Sequence, residues 1–135
     1  MKVQLIDFGY HKLPWRVHDN DAGADVFMPK SFLIKAGTTA KIPLNFGLKL
    51  PDGYAAFIYP RSGLASKGIV CELPPIDSGY RGNIHAIVSN VSNVDALLRA
   101  EDRIGQLVIM PIIIAEFTSE EGKQRGTGAF ASTGN

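Results

Sequence analysis

Lys41-Ile42-Pro43-Leu44-Asn45-Phe46-Gly47-Leu48-Lys49-Leu50 places an apolar side chain at every second position. Successive side chains of an extended chain point to opposite sides, so this period of two reads as a half-buried β-strand. Pro51-Asp52-Gly53 is turn chemistry, and residues 54–59 read as a second strand, so the two are expected to pair as a hairpin.

The rest of the chain has the same texture. Residues 1–8 read as a strand, with Val3 and Leu5 on one face. Pro14 and His18-Asp19-Asn20-Asp21-Ala22-Gly23 form a polar loop, from which a short strand over 24–28 begins. Apolar residues never recur at helical spacing over a long span, and 14 glycines and 8 prolines punctuate short strands. The one helical turn expected is 62–67, with Ser62 placed as its N-cap. The fold class is therefore all-β, a sandwich or barrel. Residues 103–117 are apolar on both faces, which suits a strand buried on both sides, inside the domain or at a subunit contact.

The 135 residues are a single-domain length with a large surface-to-volume ratio, which association of subunits would relieve. The net charge of +1 argues against a nucleic-acid or membrane-surface protein, which would carry a basic excess. Cys71 is the single cysteine, so there is no intrachain disulfide framework and no zinc-ligand spacing, and the cytosol is the expected compartment. Lys2, Gln4 and Asp7 interrupt the apolar residues at the start, unlike a signal peptide, and no apolar run approaches the ~20 residues of a spanning helix. After Glu120, glycines alternate with Lys123, Arg125, Ser132 and Thr133, and Phe130 is the one large apolar side chain. That composition is either a frayed end or an arm that orders on a ligand.

Several groups could carry chemistry. In Pro74-Pro75-Ile76-Asp77-Ser78-Gly79-Tyr80-Arg81-Gly82-Asn83 a carboxylate and a phenol ring share a tight turn between apolar flanks. A turn aspartate alone is ordinarily a hydrogen-bonded loop residue. Arg61-Ser62-Gly63 brings together a guanidinium, a hydroxyl and helix-start amides. It is either an anion-holding corner or a surface arginine beside a cap. Gln106 is an amide within an apolar strand, so it either ties up backbone groups or reaches a ligand. Asp25 either ends the polar loop or holds a hydrated divalent cation. Arg125-Gly126-Thr127-Gly128-Ala129-Phe130-Ala131-Ser132-Thr133-Gly134 joins an arginine and a ring to a phosphate-suited nest, but it lacks the Gly-Lys-Ser/Thr ending of a P-loop.

In chain order, Asp21-Ala22-Gly23-Ala24-Asp25, Pro60-Arg61-Ser62-Gly63-Leu64-Ala65, Ile76-Asp77-Ser78-Gly79-Tyr80-Arg81-Gly82, Asp102-Arg103-Ile104-Gly105-Gln106-Leu107 and the tail from Arg125 to Gly134 resemble the five ordered motifs of the trimeric dUTPases. The resemblance spans residues 21–134. It implies a distorted jelly-roll or β-barrel over 1–121 with one short helix, and a flexible arm over 122–135 that closes on a neighbouring subunit. It also implies a homotrimer with shared sites and Mg²⁺-dependent hydrolysis of dUTP to dUMP and pyrophosphate, which keeps uracil out of DNA. Asp77 would then activate the attacking water, and Tyr80 would pack under the deoxyribose. Arg61, Ser62, Gly63 and Gln106 would hold phosphates, while Asp25 would hold the metal through water. Ile76 and His85 would line the nucleotide pocket. From the arm, Phe130 would cover the uracil, and Arg125, Ser132 and Thr133 would close on the outer phosphates.

The chain departs from the family at Pro74-Pro75, where an Asn and glycines are common. It departs again at Ala129 and Ala131 in the arm and at Gly79, where many members carry a second acid. Two other readings compete. One is a binding or regulatory module gated by nucleotide. The other is a dCTP deaminase of the same superfamily, which the acid-free stretch Ile84-His85-Ala86-Ile87-Val88-Ser89 disfavours.

Overall fold

The structure is a computed structural model that describes residues 1–9, 12–72 and 74–123. Among the described residues, ten strands and one five-residue helix make up the regular structure: β1 (Gln4–Asp7), β2 (Ala24–Phe27), β3 (Phe32–Ile34), β4 (Thr39–Pro43), β5 (Phe46–Lys49), β6 (Tyr54–Pro60), α1 (Ser62–Ser66), β7 (Ile69–Glu72), β8 (His85–Asn90), β9 (Ala96–Leu98) and β10 (Arg103–Pro111). They form antiparallel groups in the orders β1-β5, β2-β10-β6, β3-β9 and β4-β8-β7. The all-β expectation holds.

The alternation of 41–50 is borne out side chain by side chain. Ile42, Leu44, Phe46, Leu48 and Leu50 are all buried, and Phe46 and Leu44 are among the largest fully enclosed residues. The extended stretch is nevertheless two strands, not one. Asn45 takes a left-handed conformation, φ 62°, which asparagine tolerates better than most residues. At this kink the chain leaves β8, its partner through Pro43↔His85, and joins β1 through Asp7↔Phe46. Burial needs only the period of two, so the pattern survives a change of partner that periodicity cannot reveal.

Three further expectations are corrected. The hairpin does not form, because β5 pairs with β1 while β6 pairs with β10. Ser62 is the first helical residue of α1 and makes no cap; Arg61 holds that position with extended backbone. The apolar run 103–117 is a strand only as far as Pro111, which has no N–H to donate. Beyond it Ile112 N–H donates to Gly53 O at 2.9 Å, and then Ile113 (92%) and Phe117 (91%) stand exposed.

The core gathers Met28, Ile34, Ile42, Phe46, Leu64 and Val88 from six different elements or connections, and strand pairing is long-range throughout. Asn90, 1% exposed, is the most buried polar residue among those described. Its Nδ2 donates to Ile34 O (3.0 Å) and Val94 O (2.8 Å), and its Oδ1 accepts from Ser92 N–H (3.0 Å) and Oγ (2.7 Å), so burial leaves it fully partnered.

Candidate active site

The sequence-predicted residues gather in two hollows. The first, about 330 Å³, is lined by Lys41, Pro74, Pro75, Ile76, Asp77, Tyr80, Ile84, His85 and Ile87. Its floor is the outer face of the β4-β8-β7 group, where His85 and Ile87 lie two apart on β8 and face Pro43 and Lys41 across the register. Ile76 fixes the turn to the body. Its N–H donates to Ala56 O at 2.8 Å, and its carbonyl accepts from Ala56 N–H at 3.0 Å. The side chain is 7% exposed, so it belongs to the core as much as to the hollow.

Asp77 follows at the exposed lip, and Tyr80 N–H donates to its carbonyl at 3.1 Å, closing the turn. Tyr80 Oη donates to Asn83 O at 2.6 Å, which holds the ring across the turn with 45% of the residue exposed. Gly82 makes that posture possible, since a Cβ there would stand 2.8 Å from Tyr80 Oη and 2.9 Å from Cζ. The same Asn83 carbonyl lies 2.9 Å from His85 Nδ1. Meanwhile the Asn83 side chain clamps the kink at Asn45: Oδ1 accepts from Asn45 N–H at 2.8 Å and Nδ2 donates to Asn45 Oδ1 at 3.2 Å. One residue therefore ties the strand kink, the phenol and the imidazole together.

The second hollow, about 170 Å³, is lined by Tyr59, Pro60, Arg61, Ser62, Arg103, Gly105 and Gln106, and it shares no residue with the first. Arg61 Nε donates to Arg103 O at 2.8 Å, which fixes the guanidinium plane. Gly63 lies beneath it, because a Cβ there would collide with Arg61 Nη1. Ser62 is exposed at the start of α1, whose first amides precede any intrahelical acceptor. Gln106 on β10 is paired between Tyr59 of β6 and Asp25 of β2. Asp25 is 9% exposed, with Arg103 Nη1 3.4 Å from its Oδ1. Among the described residues no cluster of three metal-ligating side chains exists. One carboxylate beside an arginine fits a hydrated cation carried in by phosphate oxygens, not a resident ion in a protein cage.

The fold thus unites Ile76, Asp77, Tyr80 and His85 in one hollow and Arg61, Ser62 and Gln106 in another, with Gly63 and Asp25 beside the second. Arg125, Phe130, Ser132 and Thr133 lie outside the described residues. Sequence reasoning missed Lys41, Arg103 and the joint at Asn83. Lys41 looked like the ordinary polar member of an alternating strand, and only the register beside β8 brings it to the hollow. Arg103 lies within Asp102-Arg103-Ile104-Gly105-Gln106-Leu107, and its charge three residues before Gln106 is the available signal.

Fold and hollows define a small all-β protein with an apolar-walled slot at an aspartate–tyrosine turn and a separate arginine corner suited to an anion. The dUTPase family model matches residues 10–134, and the chain belongs to the dUTPase family. It is 41% identical over 141 residues to the deoxyuridine 5'-triphosphate nucleotidohydrolase of Tropheryma whipplei (strain Twist), covering 99% of this chain and 96% of that protein. The enzyme of the same name from Clostridium tetani is 41% identical over 129 residues, covering 91% and 89%. Among solved structures, the dUTPase of Staphylococcus bacteriophage 80alpha superposes with a TM-score of 0.83 at 25% identity, over 92% of this chain and 99% of that one.

Proposed function

We propose that the chain is a dUTP diphosphatase, splitting dUTP into dUMP and pyrophosphate by attack of water on the α-phosphorus. The observation that carries the reading is the 76–83 turn, where a carboxylate at the lip of an apolar hollow sits beside a phenol ring held in place by Asn83. Asp77 accepts the proton of the attacking water, an oxygen–phosphorus bond forms, and the bond to the pyrophosphate oxygen breaks on the opposite side. Such displacement needs positioning and charge neutralisation more than covalent help from the protein. Arg61, Ser62, Gly63 and Gln106 supply the phosphate contacts, and the fixed guanidinium of Arg61 suits bidentate contact with phosphate oxygens. Tyr80 packs against the deoxyribose, and Ile76 and His85 border the base. Magnesium bound to the triphosphate would neutralise its charge, with Asp25 meeting the ion through water.

The active unit in this reading is a homotrimer with shared sites. Two observations support it: the hollows open from different strand groups without a common residue, and Ile113, Ile114 and Phe117 leave the body exposed, 77% or more, as a strap in search of a surface. Residues 122–135 act as an arm carrying Arg125, Phe130, Ser132 and Thr133 to a neighbour's site. A cytosolic location belongs to the same reading; among the described residues no helix is long and apolar enough to cross a membrane.

The test is pyrophosphate release from dUTP, with dCTP, dTTP and UTP as controls. Strong preference for dUTP, lost on chelation of magnesium and restored on adding it back, is expected. Purified protein that hydrolyses no dUTP with magnesium present would leave the regulatory-module reading in its place.

A further inference from the structure

Tyr80 Oη and His85 Nδ1 both rest on the Asn83 carbonyl, so the place of that one acceptor bears on both rings. Residue 83 is held from the 44–47 stretch, far away in sequence. Leu44 N–H donates to Ile84 O at 2.8 Å and Ile84 N–H to Phe46 O at 2.9 Å, which brackets Asn45 against the end of the turn. Between those bonds the Asn83 amide closes on Asn45, accepting from its N–H at 2.8 Å and donating to its Oδ1 at 3.2 Å. Asn45 meets it in the left-handed conformation, and its own carbonyl accepts from Phe8 N–H at 3.0 Å. Two positions on, Gly47 lets β5 pass close beneath the turn: a Cβ there would stand 2.7 Å from Gly82 O and 3.2 Å from Arg81 O. Neither asparagine is among the described residues that line the two hollows.

We propose that the side chains of Asn45 and Asn83 are a positioning pair for the reaction and act through Tyr80. The amide pair fixes the Asn83 carbonyl, the carbonyl fixes the phenol, and the phenol sets the fit of the sugar. Two bonds hold both the distance and the angle of residue 83, where a single bond would let it swivel. Both residues are half-buried, so water replaces these bonds poorly once they are lost. The lever is long because a misplacement of about 1 Å, caused far from the chemistry, can cost about 10²-fold in rate. A phenol off its acceptor no longer packs closely on a deoxyribose, and it also leaves room for a 2′-hydroxyl. Loss of the pair therefore harms the deoxyribonucleotide more than the ribonucleotide.

The assignment rests on the dUTPase reading, and its test separates the two. Measured on the full-length wild type and variants are kcat and KM for dUTP and UTP, Kd for dUMP and UMP by calorimetry, and the urea midpoint. Asn83→Leu keeps the bulk and the carbonyl and removes both amide bonds. Its kcat/KM on dUTP is expected to fall about 10- to 100-fold and that on UTP by far less, so the sugar preference shrinks. Asn45→Gly keeps the left-handed backbone and the N–H and loses only Oδ1, so it should fall between Asn83→Leu and the wild type. Asn83→Asp should restore most of the preference, because its carboxylate accepts from Asn45 N–H and from an Asn45 amide turned end for end. A pair that only stabilises the fold would lower the urea midpoint and scale dUTP and UTP alike. A dUTP-to-UTP ratio that Asn83→Leu leaves unchanged, with or without loss of activity, would thus overturn the assignment. Should Asn83→Leu not fold by circular dichroism, Asn45→Gly carries the same comparison. A wild type inert to dUTP overturns the enzyme reading instead, and the dUMP-against-UMP affinities still decide the role of the pair.

Discussion

The two hollows are built in opposite ways. In the first, polar atoms are spent inward: the Asn83 carbonyl takes both Tyr80 Oη and His85 Nδ1, and the lip has no free amide at 74–76. In the second, Arg61 commits only Nε among the described residues, at 2.8 Å from Arg103 O, and the remaining guanidinium donors face the hollow. A slot whose contacts are fixed beforehand selects by shape and pattern. An open corner of charge binds anything phosphorylated and needs a cover to become specific or dry. The difference predicts that damage to the first hollow changes which nucleotide reacts or whether it reacts, while damage to the second changes how tightly every triphosphate is held.

The hardest test of that contrast is Asp77→Asn, which keeps shape and removes the proton acceptor. Turnover should fall by about 10² to 10⁴, the usual yield of a placed base. Affinity for a non-hydrolysable dUTP analogue, measured by calorimetry, should hardly move. Equal losses in binding and turnover would make Asp77 a binding residue and blur the contrast.

Next in size is Arg61→Ala, for which kcat/KM on dUTP should drop by about 10²-fold while affinity for deoxyuridine stays as in the wild type. Co-refolding this variant with Asp77→Asn asks whether the hollows cooperate across subunits. If a site takes its first hollow from one copy and its second from another, about a quarter of the sites in random mixed assemblies are intact, and activity reappears from two nearly inactive proteins. A mixture no more active than its parts would put both hollows of each site on one chain.

Gly82→Ala should act more gently. The added Cβ meets Tyr80 Oη at 2.8 Å, so the ring must swing off the Asn83 carbonyl. About 10-fold loss on dUTP is expected, the cost of one displaced hydrogen-bonded contact, with UTP gaining relative ground as the sugar face loosens. Unaltered dUTP-to-UTP preference would mean that the ring's posture does not matter.

What could be read from the sequence divides along the same line as the chemistry. Burial over 41–50, the texture of short strands and the Asp77–Tyr80 turn are local consequences of period and turn residues, and they came through, although the strand ends did not. The kink at Asn45 did not, because a left-handed asparagine is held by Asn83, 38 positions away, through a contact that only the fold creates. The supposed hairpin after Leu50 failed for a related reason. Pro51-Asp52-Gly53 turns the chain, but which strand each flank joins depends on where β1 and β10 lie, and no local rule encodes that. Lys41 was hidden likewise, since its role follows from register with Ile87 and not from its neighbours in sequence. The motifs named the chemistry, while the partners that hold each motif in place were long-range.

Cys71 should have the smallest effect on turnover, and it probes the back of the first hollow. It lies half-buried on β7, opposite Val88, while its neighbour Glu72 is paired with Ile87 of the hollow's floor. Alternation along β7 therefore turns the thiol away from the slot. Burial pushes that thiol up from the ordinary 9.0 to about 11, because a thiolate there would lose its water. The neutral thiol is the form present at physiological pH, and only the thiolate attacks, so alkylation at pH 8 should run about 100-fold slower than for a free cysteine. The rate should rise about tenfold per pH unit and level off near 11, provided the fold is intact across that range by circular dichroism. Cys71→Ala should keep kcat/KM on dUTP within about twofold, since the change removes one sulfur behind the sheet and no contact in front of it. A fast reaction at pH 8, or a variant that loses its preference for uracil, would mean that the slot's floor is thinner than one strand and that the two faces of the sheet are coupled.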